Sequence, residues 1–270
     1  HRVQPGAPRP GYLDRIIAGA VHHGLPNQWI DFLRRWDPAH WPMSHSHSND
    51  AGPQSLSELL ADPDVDEVST LRSRFGFLAI HGGGLEQMTD VIAELAAEQA
   101  GASVYLLRHP ADYPHHLSSA RYLPEQSERL AAFLDHVDVV VSLHGYGRVG
   151  RSTQILAGGR NRELAGLLAE CITVPGYQVV TDLGSIPREL RGLHPDNPVN
   201  RSRGGGAQLE LSSRVRGTSP RSQLPGDDGL SPATAALVAG LVAAAGSWRA
   251  GEGDGDSHHS GPILGRAGSE

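Results

Sequence analysis

The sequence predicts a single α/β domain with a mostly parallel or mixed central sheet flanked by helices. Over about 70–247, short apolar runs alternate with stretches of helical periodicity, and the runs are rich in β-branched residues. A length of 270 residues allows one large domain of this kind. Ligands of such sheets bind beyond the carboxyl ends of the strands, so residues that follow strands are the first candidates for a functional site.

The predicted elements follow one another in a regular order. The first strand is the continuous apolar run 75–80, which is typical of a strand buried on both faces, and the clearest is the valine-rich run 137–143. The first long helix covers 85–100 and is expected to stop at Gly101. The remaining elements are strands over 104–107, 177–181 and 207–211 and helices over 125–134, 161–169 and 233–245.

We expect the chain to divide into three parts. Residues 1–53 are expected to be a leader or extension, 54–247 the functional domain, and 248–270 a disordered tail, because the run 251–256 alternates glycine with acidic residues and cannot bury a core. Met43 opens a polar stretch of serine and histidine and is a candidate translation start, with the stretch itself read as a solvated leader.

Composition excludes several classes of protein. The 30 acidic residues outnumber the 23 basic ones, all of them arginine, and the net charge of −7 argues against a nucleic-acid partner. The single cysteine, Cys171, excludes an internal disulfide framework and is expected in the core. No apolar run is long enough to span a membrane, and no signal peptide is visible. We therefore expect a cytoplasmic monomer, released by lysis if it comes from a phage.

Two predicted strands end in histidine. The run 75–80 leads into His81 and three glycines, and the run 137–143 leads into His144. Glu86 lies five residues after His81, so the chain can fold both side chains onto one point. Two histidines and one carboxylate are the usual ligands of a catalytic zinc ion, which keeps a fourth position open. The alternative interpretation is a pair of hydrogen-bonded histidines in glycine-rich turns.

A serine esterase is a competing prediction for the same motif. His81 with its three glycines also fits the oxyanion hole of lipase-like α/β-hydrolases, which need a Gly-x-Ser-x-Gly turn further along the chain. The two candidates, 217–221 and 229–233, both lack the final glycine. A chain without lysine also has no Gly-Lys phosphate-binding loop.

Arginine is unevenly distributed along the chain. Between Arg148 and Arg221 there are eleven arginines and six acidic residues, a balance of +5 that leaves −12 for the rest. A local basic surface suits an anionic substrate. Two other interpretations stay open: ordinary surface arginines in a lysine-free chain, and a non-catalytic module that binds an anionic polymer.

Five blocks of the sequence resemble, in order, the blocks of the poly-γ-glutamate hydrolase family. They are residues 80–86, 142–146, 156–164, 195–201 and 205–212. The resemblance implies a zinc-dependent amidohydrolase that cuts γ-amide bonds of poly-γ-glutamate, on a fold similar to a reduced metallocarboxypeptidase. Its implied partner is an anionic γ-glutamyl polymer or peptide.

The resemblance also implies roles for individual residues. His81, Glu86 and His144 match the zinc ligands of the family, and Glu210 matches its catalytic carboxylate. A carboxylate outside the metal site is needed to take the proton of the attacking water. An edge-strand charge or a partner for a nearby arginine is the alternative for Glu210.

Three further residues are implied to contact the substrate. Asn200 and Arg201 match the Asn-Arg pair of the family, and His116 resembles the histidine of its His-x-Thr-Ser segment, with Ser118 in place of the threonine. Arg201 could hold the α-carboxylate of a glutamyl unit or the tetrahedral oxyanion. A zinc carboxypeptidase or amidase acting on another acidic peptide, such as a peptidoglycan γ-glutamyl link, is the alternative activity.

Overall fold

A computed structural model describes residues 52–111 and 113–255 of the chain. The predicted leader, apart from residues 52 and 53, and the tail beyond 255 lie outside the described residues, and so does Met43. Within the described residues, no helix is both long enough and apolar enough to cross a membrane.

One sheet of seven strands forms the centre of the described chain. The strands are β1 Asp66–Thr70, β2 Phe75–Gly83, β3 Ser103–His109, β4 Val139–Tyr146, β5 Gln154–Ala157, β6 Gln178–Val180 and β7 Gly206–Ser212. Their order across the sheet is β1-β3-β2-β4-β7-β5-β6. The four central strands β3, β2, β4 and β7 run parallel, whereas β1 is antiparallel to β3 and β5 is antiparallel to β7. The sheet is therefore mixed, as predicted.

Five α-helices cover the two faces of this sheet. They are α1 Leu56–Leu59, α2 Thr89–Ala100, α3 Glu128–His136, α4 Arg162–Cys171 and α5 Pro232–Gly255. Helices α2, α4 and α5 pack on one face, and α1 with α3 packs on the other. Each face buries a separate apolar cluster, and the half-buried Cys171 packs against the first. This arrangement confirms the predicted single α/β domain.

The predicted elements are all present, with shifted ends. Helix α2 begins at Thr89 rather than at residue 85, because 84–88 form a turn in which the Glu86 N–H bonds to the His81 carbonyl and Met88 has a positive φ of 74°. Helix α5 extends to Gly255, so the tail predicted from 248 is helical at its start. Each added residue of a helix gains one backbone hydrogen bond, which favours continuation of an existing helix.

Two strands were missed in the sequence for physical reasons. Strand β1 is a half-exposed edge strand with the polar sequence Asp-Glu-Val-Ser-Thr, so it lacks an apolar run. Strand β5 has only four residues and owes its place to its partners β6 and β7.

The connections around β2 determine where the site lies. The chain passes from β2 through α2 to β3 on one side, and then through α3 to β4 on the other side of β2. Because the two crossover helices pack on opposite faces, a crevice opens beyond the carboxyl ends of β2 and β4. His81 and His144 lie at these two strand ends.

Candidate metal centre

His81 is held at the end of β2 by a hydrogen bond from its outer nitrogen. The residue is buried, and its Nε2 lies 3.0 Å from the carbonyl oxygen of Leu117. A carbonyl only accepts, so Nε2 carries the hydrogen and donates it. The Nδ1 nitrogen is then left with a free lone pair, and it lies 3.0 Å from Oε1 of Glu86.

Glu86 folds back onto His81 from the turn after β2. Its own N–H bonds to the His81 carbonyl at 2.8 Å, which closes the turn. Its Oε2 accepts a hydrogen bond from the backbone N–H of Gly145 at 2.8 Å. This turn brings the carboxylate between β2 and β4, so the predicted convergence of His81 and Glu86 occurs in the structure.

His144 completes the group from the neighbouring strand. Its Nε2 lies 3.0 Å from the hydroxyl oxygen of Ser142, two residues earlier on β4. Its Nδ1 lies 3.2 Å from Nδ1 of His81 and 3.4 Å from Oε2 of Glu86. With Nε2 as the donor to Ser142, the second histidine also directs a lone pair at the common point.

These three side chains fit a tetrahedral metal site. The Nδ1 atoms of His81 and His144 lie 3.2 Å apart, and they face different oxygens of the Glu86 carboxylate, at 3.0 and 3.4 Å. Zinc bonds of about 2.0 Å in a tetrahedron place neighbouring ligand atoms about 3.3 Å apart. Two imidazole nitrogens and a carboxylate that converge on one point form a donor set that suits a divalent cation. The hydrogen bonds on the outer nitrogens are also the usual support of metal-bound histidines.

The electrostatics of Glu86 and His81 agree with that interpretation, whereas His144 is drawn toward the protonated form by Glu86. Burial raises the pKa of Glu86, but the nearby His81 and His144 outweigh this and hold it well below its ordinary value. Burial lowers the pKa of His81, which favours the neutral ring that a metal needs. Burial also lowers the pKa of His144, but Glu86 outweighs this and raises it overall, as expected for a ring that faces a carboxylate.

His116 lies at the open side of the same group. Its ring is 4.3 Å from that of His81 between centroids, and its Nε2 is 3.8 Å from Oε1 of Glu86. The ligand atoms of His81, Glu86 and His116 also lie within 4.8 Å of one another, so they form an overlapping candidate triad. We favour His144 as the third ligand because it is buried and closer to both partners, whereas the His116 side chain is 58% exposed.

Glu210 lies next to the group on β7. It is in register with His144 on the adjacent parallel strand, and it is 4% exposed. Burial raises the pKa of Glu210 to about 7, against the opposing effect of His144. A carboxyl group that titrates near neutral pH can both take up and release a proton.

Two residues that were not predicted hold Glu210 in place. The Nε2 of Gln208 donates to Oε1 of Glu210 at 2.9 Å, and the Oε1 of Gln208 accepts from Nδ2 of Asn197 at 2.8 Å. All three side chains are buried. Residues 208 and 210 share one face of a strand, which was the available signal for Gln208. Asn197 comes from a distant loop and gives no such signal.

Asn200 and Arg201 are not brought to this group. The side chain of Asn200 bonds to backbone atoms of Gly192, His194 and Arg160, so it closes a loop. Arg201 pairs with Glu125 at 3.0 Å and with Asp196 at 3.3 Å. Within the described residues, no hydrogen bond or ion pair joins either of them to the side chains of the group, which are those of His81, Glu86, His144 and Glu210. Their substrate contacts stay a prediction.

Arg216 is a further residue near the centre that was not singled out in the sequence. It is 8% exposed, and its Nη1 donates to the carbonyl of Gln87, the residue after Glu86. Its position depends on contacts across three strand ends, which no local pattern shows.

Comparison with two solved structures supports the fold. A bacteriophage poly-gamma-glutamate hydrolase has a TM-score of 0.58 at 22% identity, covering 69% of this chain and 90% of that one. A structure described as zinc-free YndL has a TM-score of 0.54 at 26% identity, covering 70% and 96%. A metallo-carboxypeptidase from Burkholderia cenocepacia matches at a TM-score of 0.43 and 12% identity, covering 70% and 66%. No curated protein sequence matches significantly.

The family model shows the membership directly. The model of the poly-gamma-glutamate hydrolase family matches residues 54–220, which is more than half of the chain. The matched range contains every residue of the candidate metal centre. The chain belongs to the poly-gamma-glutamate hydrolase family.

Proposed function

We propose that this protein is a zinc-dependent hydrolase of γ-glutamyl amide bonds and that poly-γ-glutamate is its substrate. The observation that carries the proposal is the convergence of Nδ1 of His81, Nδ1 of His144 and the carboxylate of Glu86 on one point, with Glu210 on the adjacent strand. Membership of the family makes the protein a hydrolase of amide bonds. What we propose beyond this is the identity of the metal ion and of the polymer substrate.

Zinc is the ion that best suits the donor set. Two imidazole nitrogens and one carboxylate are a usual protein ligand set for catalytic zinc, with a fourth position left for water or substrate. His116 lies at the open side, where a substrate would enter. A structure with a similar fold is described as an apo, zinc-free form.

Each residue of the site has a separate part in the proposed reaction. His81, Glu86 and His144 would hold the ion, and their outer hydrogen bonds keep the rings from turning. Bound there, the ion would act as a Lewis acid that polarises the scissile carbonyl and makes water more acidic. Glu210 takes the proton of the attacking water and passes it to the nitrogen of the leaving amine. Gln208 keeps the carboxylate of Glu210 oriented for both transfers.

The decisive experiment measures the length of the polymer. Purified protein is incubated with poly-γ-glutamate, with added zinc or with a chelator, and the product is sized by gel filtration. We expect shortening that needs zinc and is lost with the chelator. No shortening with full zinc would remove the polymer as substrate, and cleavage of a peptidoglycan γ-glutamyl link instead would identify the alternative amidase. A metal-free, inert protein would favour a binding module.

A further inference from the structure

Arg216 is a cation at the edge of the metal centre with no role in the proposed chemistry. Its Nε donates to the carbonyl of Leu211 at 3.2 Å, near the end of β7, and its Nη1 donates to the carbonyl of Gln87. Gln87 directly follows the ligand Glu86. The guanidinium is therefore anchored between the strand that carries Glu210 and the turn that carries Glu86.

Gly145 provides the space for this guanidinium. A Cβ atom at Gly145 would lie 2.8 Å from Cζ of Arg216, so a larger residue would displace the arginine. Gly145 follows the ligand His144, and its N–H binds the carboxylate of Glu86. Arg216 thus lies against the backbone that links two of the metal ligands.

Within the part of the chain that the structure describes, Arg216 makes no ion pair. Both of its hydrogen-bond acceptors are neutral carbonyls, and no carboxylate of the described chain lies within 4.0 Å of it. Its third nitrogen, Nη2, makes no hydrogen bond to the described residues. It is also not fully buried. Nη2 is therefore the part of the side chain that solvent or a ligand can reach. Burial lowers the pKa of Arg216, while the nearby Glu86 and Glu210 oppose that effect.

A γ-linked glutamyl chain carries a carboxylate close to every amide bond that the enzyme would cut. In this linkage the carbon that bears the amide nitrogen also bears a free α-carboxylate. Every scissile bond therefore has a carboxylate one carbon away from its nitrogen. A carbonyl positioned at the metal centre brings that carboxylate to the edge of the same centre.

We propose that Arg216 is the substrate-binding group that holds the α-carboxylate next to the scissile γ-amide bond. This inference rests on the proposed function. A guanidinium anchored through two of its nitrogens presents the third in a fixed direction, and a charge-assisted hydrogen bond to a carboxylate is stronger than a neutral one. Arg201, the arginine predicted for this task, already pairs with two carboxylates.

The test compares two short peptides that differ only in the charge of the proposed contact. One is a γ-linked glutamyl trimer with free α-carboxylates, and the other carries α-carboxamides. We expect wild-type protein to prefer the acid form. In Arg216→Gln the KM for the acid should rise at least about tenfold, the usual loss for a hydrogen bond to a charged group, while the KM for the amide and the zinc content stay unchanged. Arg216→Lys keeps the charge and should retain part of the preference.

A binding measurement separates this contact from turnover. In a Glu210→Gln background, where turnover should be at least about 100-fold slower, calorimetric affinity for the acid trimer should fall by the same factor when Arg216→Gln is added. The matched control is Arg203→Gln, which removes the same charge from a side chain that is 74% exposed and should leave both peptides unaffected.

Four results would overturn the inference. An unchanged preference for the acid peptide in a zinc-loaded Arg216→Gln protein would do so, and so would loss of that preference in Arg201→Gln alone. Zinc loss in both Arg216 variants would show that the residue only braces the metal-binding turn. A wild-type protein that binds and cleaves neither peptide would overturn the proposed function as well, which distinguishes the two failures.

Discussion

The two histidines of this site are oriented by hydrogen bonds to the ring nitrogen that faces away from the group. His81 and His144 each use one ring nitrogen to contact Leu117 or Ser142, which leaves the other nitrogen for the common point. The position of the two histidines at strand ends was readable in the sequence, because an apolar run shows where a strand stops. The contacts that support the two rings could not be predicted from the sequence, because a backbone carbonyl such as that of Leu117 has no sequence signature.

The role of Glu210 can be tested by one isosteric change. Glu210→Gln keeps the size of the side chain but removes its ability to take a proton, so turnover should fall at least about 100-fold while zinc content stays at the wild-type level. Turnover on poly-γ-glutamate and metal analysis of the same sample measure both quantities. Glu189→Gln makes the same change in a side chain that is 59% exposed and should have no effect. Near-wild-type turnover with full zinc would exclude Glu210 as the base.

Elements differed in how well the sequence predicted them, according to how they are buried. Strands β2 and β4 are buried on both faces, so their apolar runs predicted them correctly. The edge strand β1 is half exposed and carries polar residues, so it was missed. The start of α2 was placed too early because the periodicity did not reveal the turn that directs Glu86 toward His81.

Helix α3 depends on a capping residue that also ties it to the edge strand. The Oγ of Ser127 accepts from the N–H of Leu130 at 3.1 Å and donates to the carboxylate of Glu67 on β1. Ser127→Ala removes both contacts and should lower the free energy of unfolding by about 1–2 kcal/mol, as measured by urea denaturation. Ser55→Ala, at the exposed cap of the four-residue helix α1, should cost less. An equal cost at both positions would contradict this role for Ser127.

For the molecule as a whole, the sheet topology brings the candidate site residues together. His81, His144 and Glu210 come from β2, β4 and β7, which are adjacent parallel strands, so their carboxyl ends share one edge of the sheet. The α/β class and this shared edge could be predicted from the sequence. The strand order could not, because it depends on which helix packs on which face. Arg216 lies near the centre because it follows the carboxyl end of β7, whereas Arg201 precedes the amino end of that strand.

The stability of the whole domain should depend on pH through His109. Burial lowers the pKa of His109 to about 4, from 6.5 in the unfolded chain. The unfolded state therefore binds more protons between these values, and stability present above pH 6.5 is lost as pH falls toward 4, by up to about 3 kcal/mol. Urea unfolding at pH 7.5 and 5 should show a smaller loss in His109→Gln than in wild type. His194→Gln, an exposed control, should follow wild type; an identical loss in His109→Gln would refute this.

The ligand set of the metal centre is the central claim, and zinc content in two histidine variants tests it most directly. His144→Ala removes a buried nitrogen that lies 3.2 Å from Nδ1 of His81, whereas His116→Ala removes an exposed ring whose Nε2 is 3.8 Å from Glu86. Zinc per chain, measured by mass spectrometry after dialysis, should fall to near zero in His144→Ala and stay near one in His116→Ala. Full zinc in His144→Ala with loss in His116→Ala would contradict the account.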